Sequence, residues 1–307
     1  MTAAPIATSR PGAARRPRPA RSGGGWATAR RVGLWAFLLT SALFFAIPLL
    51  IMISTSLKTA EEVRAGSVFL PPADPSLAAW GKAWSSACIG RACEGIRGGL
   101  WNSVRILVPS TLISVALSAL NGYALSLWPI RRSRLLLGGL LLGAFIPFQV
   151  MIYPLVRMAA AVGLYGTVPA VVAVHVLFGL PVLTLIFCNF YRSLPPELMK
   201  AARVDGAGFL RIFWRVVLPL STNVVIVALI LSVTGVWNDY LLSLIFAGRD
   251  NLPMTVELNS LVGTRIGIPE HNVNMAATLI AALPPLLLYL LSGQYFVRGV
   301  TAGAVKG

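Results

Sequence analysis

Long uncharged apolar runs alternate along this chain with short polar segments. Val32–Ile53, Ile106–Ile130 and Leu135–Val156 each lack a charged residue. Each is long enough, at about 1.5 Å of rise per residue, to cross roughly 30 Å of hydrocarbon. Met158–Tyr191 is also free of charge, but Gly163, Gly166 and Pro169 break its start and place a span at about 168–190. Val216–Asn238 comes next, is interrupted by Asp239, and gives way to further apolar sequence up to Gly248. Asn272–Val297 is the last run. The pattern predicts an all-α, polytopic membrane protein of six transmembrane helices with both termini on one side.

Composition agrees. Of 307 residues, 56% are hydrophobic and 12% charged, against roughly 45–50% and about 25% in soluble domains. That leaves too little polar surface for a soluble enzyme or secreted domain. The net charge is +16, from 26 basic and 10 acidic residues. A basic excess often marks a nucleic-acid binder, but here the basic residues are scattered between apolar runs, so no nucleic-acid partner is expected. Placed on six spans they orient the chain. Segments 1–31, 129–134, 191–215 and 298–307 hold seventeen Lys and Arg, whereas 55–100, 160–166 and 248–274 hold seven. The basic side is cytoplasmic, which gives an N-in, C-in topology. Seven of the ten acids lie in the outer loops.

Residues 1–31 are rich in Pro, Gly, Ala and Arg without an apolar period and read as a disordered basic cytoplasmic tail. The tail either sets topology alone or also meets anionic membrane lipid. Val32–Ile53 is too long for a signal-peptide core and lacks a clear cleavage site, so it reads as an uncleaved span. Cys88 and Cys93, in CIGRAC, either pair as a disulfide in an oxidising compartment or stay free. Cys188 reads as a buried apolar residue. No Cys or His–Glu cluster suggests a metal. His175 stands alone in the fourth span and His271 in an outer loop. Packing or hydrogen bonding accounts for both, although an intramembrane His also lines pathways.

The informative polar segment is 195–221, PPELMKAARVDGAGFLRIFWRVVLPLS. Pro195 and Pro196 end the preceding span, and Glu197 starts a helix with its charge at the positive end. Leu198, Ala201 and Ala202 predict one small apolar face. Asp205-Gly206 breaks the helix, because glycine tolerates positive φ. Phe209, Ile212, Phe213 and Val216 predict a second apolar stripe, with Arg211 and Arg215 off it. The result is a helix–turn–helix, read either as a docking element or as an amphipathic loop lying on lipid.

ELMKAARVDGAG followed by IFWRVVLPLS resembles the cytoplasmic coupling loop of permease subunits of bacterial ABC importers. Further segments resemble the maltose-type sugar permeases: Ser56-Leu57-Lys58 with Pro71-Pro72, Asn102-Ser103, Asn121-Gly122-Tyr123-Ala124-Leu125 with Arg131-Arg132, Ile146-Pro147-Phe148-Gln149, Tyr153-Pro154-Leu155, Gly163-Leu164 through Thr167, Trp237-Asn238-Asp239-Tyr240 and the terminal run from Tyr295 to Gly307. The resemblance covers roughly 32–307. It implies the type I ABC importer permease fold, with 32–307 as the membrane domain and 191–216 as the coupling loop. Glu197, Lys200, Ala201, Ala202, Asp205, Gly206, Ala207, Phe209 and Phe213 are then the ATPase-coupling residues. Gly303, Val305, Lys306 and Gly307 match a tail that reaches the ATPase interface. One departure stands out: the family carries Glu immediately before the Ala-Ala pair, where this chain has Lys200. Either Glu197 supplies the charge instead or the partner surface has changed.

The resemblance further implies a non-catalytic subunit in the bacterial inner membrane that binds no cofactor itself. No Gly-x-x-x-x-Gly-Lys-Ser/Thr segment is present to cradle phosphates, and ATP and Mg belong to a partner ATPase dimer. The other implied partners are a second, homologous permease, an extracytoplasmic sugar-binding protein and the sugar. Sugars are held by aromatic faces and by amide or carboxyl groups in mostly apolar pockets. Gln149, Tyr153, Asn189, Trp237, Asn238, Asp239 and Tyr240 are the substrate-pathway candidates, each with a competing structural role. The CIGRACEGI, GYALSLW and FIPFQVMIYPL segments resemble permeases for glucose, mannose or glucosides. Rival readings are an ABC permease for a non-sugar solute, a secondary transporter and a non-transporting membrane anchor. The scarcity of intramembrane acids, Asp239 excepted, argues against ion coupling.

Overall fold

The computed structural model describes residues 24–89, 92–263 and 269–304, with side chains described between 28 and 292. In chain order its helices are α1 (Gly24–Ser56), α2 (Ala60–Ala65), α3 (Ala78–Ser85), α4 (Arg97–Leu127), α5 (Ser133–Phe145), α6 (Phe148–Ala161) and α7 (Val168–Arg192). They continue with α8 (Pro196–Val204), α9 (Phe209–Leu220), α10 (Thr222–Trp237), α11 (Leu241–Phe246), α12 (Met254–Gly263) and α13 (His271–Ala304). Among the described residues the only extended pairing is one bridge between Ile89 and Ala92. The described residues divide after Leu50 into two compact units, and the functional features lie in the second.

Four helices are long and apolar enough to cross a membrane: α1 over Thr28–Ser56, α4, α7, and α13 over His271–Ser292. Two bent pairs, α5 with α6 and α9 with α10, raise the number of candidate spans to six if each pair counts as one. The bends correct two expectations. Leu135–Val156 is not one straight span, because α5 and α6 meet at 98°. Pro147 sits in the break and forces Ile146 out of helical geometry, to φ −70° and ψ 121°. The span expected from Val216 begins as regular helix only at Thr222, after an 81° bend. Pro219 has no N–H to give the preceding turn, which winds as a π-turn over Phe213–Val217. Helix α1 starts at Gly24, inside the stretch expected as tail; residues 1–23 of that tail lie outside the described residues.

The centre of the second unit is the contact of α4 with α7. In hydrocarbon no water drives helices together, so small residues that let backbones approach do that work. Helix α4 turns Ser110, Ser114, Ser118, Ala119 and Gly122 inward. A Cβ at Gly122 would lie 2.5 Å from Cβ of Phe187, so only glycine fits there. Cys188 Sγ, buried beside it, donates to the Gly122 carbonyl at 3.6 Å. Beyond this contact Tyr123, Phe187, Tyr191, Met199, Ile212, Phe213 and Val217 form one apolar cluster. Two others form towards the start of α4, one around Ile106, Val171, Leu242 and Phe246 and one around Ala83, Ile96, Trp237, Met254 and Ala276.

The described parts of the segments expected as outer loops carry helices and cross-contacts of their own. Cys88 and Cys93 form a disulfide. Lys82 pairs with Glu270 at 2.5 Å, and the Asn272 amide donates to the Lys58 carbonyl at 3.0 Å. Helix α12 is fastened to the start of α4: the Gly99 N–H donates to Glu257 at 2.8 Å and the Met254 N–H to Ser103 Oγ at 2.9 Å. Burial pushes the Glu257 carboxyl up to about 7, opposed by the Gly99 N–H and reinforced by Glu94.

Two outcomes follow. Gly122→Leu overpacks the α4–α7 contact and should cost about 1–3 kcal/mol, read as a lowered unfolding temperature of the purified protein in detergent. An unfolded Glu257 ionises near its ordinary 4.5 and the folded one only near 7. Stability should therefore fall as pH rises between those values and level off above them. Glu257→Gln should flatten that part of the unfolding-temperature profile.

Candidate functional site

Helix α7 ends at Arg192, and Pro195-Pro196 keeps it from continuing. Pro196 then opens α8 at a position where its missing N–H costs nothing. Glu197 lies in the first turn and Arg203 in the last, each matched to the helix dipole. The Asp205 N–H closes α8 on the Ala201 carbonyl at 3.0 Å. Gly206 follows at φ +72°, the left-handed turn that favours glycine. The chain reverses through Ala207-Gly208 into α9, so 196–220 is a helical hairpin.

The hairpin is fastened to the end of α4 by aromatic rings and by hydrogen bonds. Tyr123 lies 4.7 Å from Phe209 and 5.4 Å from Phe213, ring centre to ring centre, and its hydroxyl donates to the Phe209 carbonyl at 3.1 Å. Trp128 meets Phe209 edge-on at 5.1 Å. Arg203 stacks over Trp128 at 4.8 Å and donates to the Leu127 carbonyl at 3.2 Å. Ser221 Oγ donates to the Val217 carbonyl at the far end, where the π-turn frees backbone groups.

All nine residues expected to couple to an ATPase lie on this hairpin, and it divides them by direction. Phe213 is buried, while Ala202, Ala207 and Phe209 are half-buried against α4 and α7. Glu197, Lys200, Ala201, Asp205 and Gly206 are exposed. Met199 is the buried residue of α8, with Ala202 half-buried beside it, while Leu198 and Ala201 of the expected small apolar face are exposed. On α9 the four expected stripe residues pack inward, Ile212 and Phe213 buried and Phe209 and Val216 half-buried, and the π-turn adds Val217 to the buried side. The exposed side also carries Val204, 88% exposed, with Leu210 and Trp214. The sequence reading missed the anchors Tyr123, Trp128 and Arg203. For Tyr123 and Trp128 the signal was the aromatic wording of GYALSLW shortly before the Arg131-Arg132 pair; Arg203 carried none.

The substrate-pathway candidates do not form one cluster. Gln149 and Tyr153 are exposed on α6, where Arg157 Nη1 donates to the Tyr153 hydroxyl at 3.4 Å. Asn189 is exposed near the end of α7, next to the hairpin. Trp237 is buried at the end of α10, its indole N–H donating to the Ala281 carbonyl at 3.0 Å, a structural contact. Asn238 and Tyr240 are exposed. The Asp239 carboxylate accepts the N–H groups of Leu242 at 3.3 Å and Ser243 at 2.8 Å, capping α11. Of the tail residues, Gly303 lies in α13, while Val305, Lys306 and Gly307 fall outside the described residues. Among the described residues no group of three or more His, Cys, Asp or Glu is placed to hold a metal.

The binding-protein-dependent transport system inner membrane component family matches residues 107–302. The chain belongs to this family. A probable ABC transporter permease protein of Pyrococcus horikoshii is 40% identical over 178 residues, 58% of this chain and 64% of that one. The permease protein of a trehalose transport system of Mycobacterium tuberculosis is 30% identical over 289 residues, 91% of this chain and 99% of that one. A crystal structure of a bacterial ABC transporter involved in the import of the acidic polysaccharide alginate contains a chain of the same fold. Its TM-score is 0.74 at 21% identity, covering 92% of this chain and 100% of that one. The protein is a non-catalytic, multi-pass permease subunit of the inner membrane. Family membership implies an ATPase, a substrate-binding protein and a second permease subunit as its partners.

Proposed function

We propose that this permease imports sugar, paired with a second, related permease. A sugar-binding protein delivers the cargo from outside, and an ATPase dimer binds ATP and Mg inside. The trehalose system of its relative supports the substrate class. Six spans in an N-in, C-in arrangement fit the basic residues of the inner loops, and they place the α8–α9 hairpin at the cytoplasmic face.

The fastened hairpin is the observation that carries the coupling mechanism. Its outward side, with Leu198, Ala201, Val204 and Trp214 exposed, docks in a cleft of the ATPase dimer. Its inward side is held to α4 by Tyr123, Trp128 and Arg203, so a push on α8 passes to the spans as a rigid movement. Closure of the ATPase on ATP turns the cavity from inward- to outward-facing. Glu197 and Lys200 stand exposed on α8. Glu197 offers the ATPase the acidic contact that the family places at position 200. The 303–307 tail adds a second contact.

The test is reconstitution of all subunits in vesicles, with sugar uptake and ATP hydrolysis measured together. Gly206→Val forces a β-branched residue into φ +72° and should lower uptake about tenfold or more, with the loaded binding protein no longer stimulating hydrolysis. If uptake and hydrolysis remain coupled in this variant, the hairpin does not transmit the stroke. If no sugar is imported by the unaltered complex, the substrate class is wrong.

A further inference from the structure

The end of α4, the start of α5 and the end of α7 meet around one cavity of about 560 Å³, inside the roughly 300–1,000 Å³ range of small-molecule sites. Its wall is divided by chemistry. Ser133 and Arg134 belong to the first turn of α5, and Arg192 is the last residue of α7. Leu137, Gly138 and Leu141 line the cavity further along α5. Positions 133, 137 and 141 share one helix face and span about 12 Å at 1.5 Å per residue. The cavity therefore has a basic mouth and an apolar slot leading from it. Nothing lies within 4 Å of a Cβ built on Gly138, so this glycine leaves the slot open.

Among the described residues neither the Arg134 nor the Arg192 guanidinium makes a hydrogen bond or an ion pair, and the Ser133 hydroxyl has no partner either. Ser126, also in the wall, commits its hydroxyl hydrogen to the Gly122 carbonyl. No Asp or Glu lines the cavity. Membrane orientation needs only positive charge in the inner loops. It does not need two guanidinium groups from different helices around one space with no acid between them. Such an arrangement suits an anion, and the guanidinium fork matches the oxygens of a phosphate. The positive end of α5 adds to the attraction. The apolar slot separates a lipid from a soluble anion, because it covers an acyl chain and offers a free phosphate nothing.

We propose that this cavity is a site for an anionic phospholipid. Arg134, Arg192 and Ser133 hold its phosphate, and one acyl chain lies along Leu137, Gly138 and Leu141. Basic pockets between spans are suited to anionic head groups in this way. The site does not depend on the cargo, and the topology proposed above adds only that the leaflet is the inner one.

The test uses the assembled complex in detergent, with phosphatidylglycerol, phosphatidylcholine and free glycerol 3-phosphate as probes, and counts retained lipid by native mass spectrometry. Phosphatidylglycerol should be retained about tenfold or more over phosphatidylcholine, and excess glycerol 3-phosphate should not displace it. Arg134→Gln with Arg192→Gln should abolish the preference. Arg131→Gln with Arg132→Gln removes the same charge from exposed positions outside the cavity and should leave it intact. Gly138→Leu fills the slot and should lower phosphatidylglycerol retention with both arginines in place. The site is overturned if the Arg134 and Arg192 variant keeps its preference. It is equally overturned if the Arg131 and Arg132 variant loses it, since charge in general would then suffice. Displacement by glycerol 3-phosphate, with full retention in Gly138→Leu, would give the cavity to a soluble phosphate ester and overturn the lipid.

Discussion

Everything in the second unit hangs on one close approach, that of α4 to α7 at Gly122. The Phe187 side chain occupies the space a Cβ would need. The Gly122 carbonyl is thereby brought to Cys188, and the next residue, Tyr123, is aimed at the hairpin that follows α7. The aromatic cluster of Tyr123, Trp128, Phe209 and Phe213 forms only because the two long helices are this near. Small residues along the α4 seam serve packing, and the residue directly after the glycine serves coupling. A force applied to α8 reaches α4 through a tyrosine hydroxyl and an arginine that both grip backbone carbonyls. Backbone acceptors cannot rotate away as side chains can, which makes the linkage stiff.

The two bent pairs obey a second constraint. A backbone in hydrocarbon must satisfy its own polar groups, and helix breaks survive where neighbouring side chains or altered turns take up the freed ones. At the α9–α10 bend the π-turn and Ser221 do so. At the α5–α6 bend Pro147 removes one donor from the count. Both bends lie in segments whose hydropathy alone reads as a continuous crossing.

Hydropathy made the long helices legible because burial in lipid acts on whole runs of residues. Helix α7 begins and ends near the predicted limits, whereas α4 starts at Arg97, ahead of the run predicted from Ile106, and α13 continues past Val297 to Ala304; the Pro-Pro, Asp-Gly and Leu-Pro punctuation outlined the hairpin because those residues act locally through φ and missing donors. Other features left no local trace. Prolines 147 and 219 were visible, but the angles of 98° and 81° come from tertiary packing. Which side of α8 turns inward had no local signature, because Leu198 and Met199 are both apolar and the neighbouring cluster selects Met199. The α9 stripe of Phe209, Ile212, Phe213 and Val216 was legible and packs on the cluster, and the π-turn adds Val217 to it by changing the period. Tyr123 bonds to a carbonyl 86 residues away, and His175 meets Asp239 across a comparable gap. Such pairings exist only once the fold does.

The account turns on the exposed side of α8 meeting the ATPase. A cysteine introduced at Ala201 tests this directly, since Cys88 and Cys93 are bonded to each other and Cys188 is buried. In the assembled complex a short thiol-to-amine crosslinker should join that cysteine to the ATPase subunit, and a bulky thiol reagent should reach it only when the ATPase is left out. An Ala201→Cys chain that stays uncrosslinked, and is labelled equally with and without the ATPase, would contradict the account.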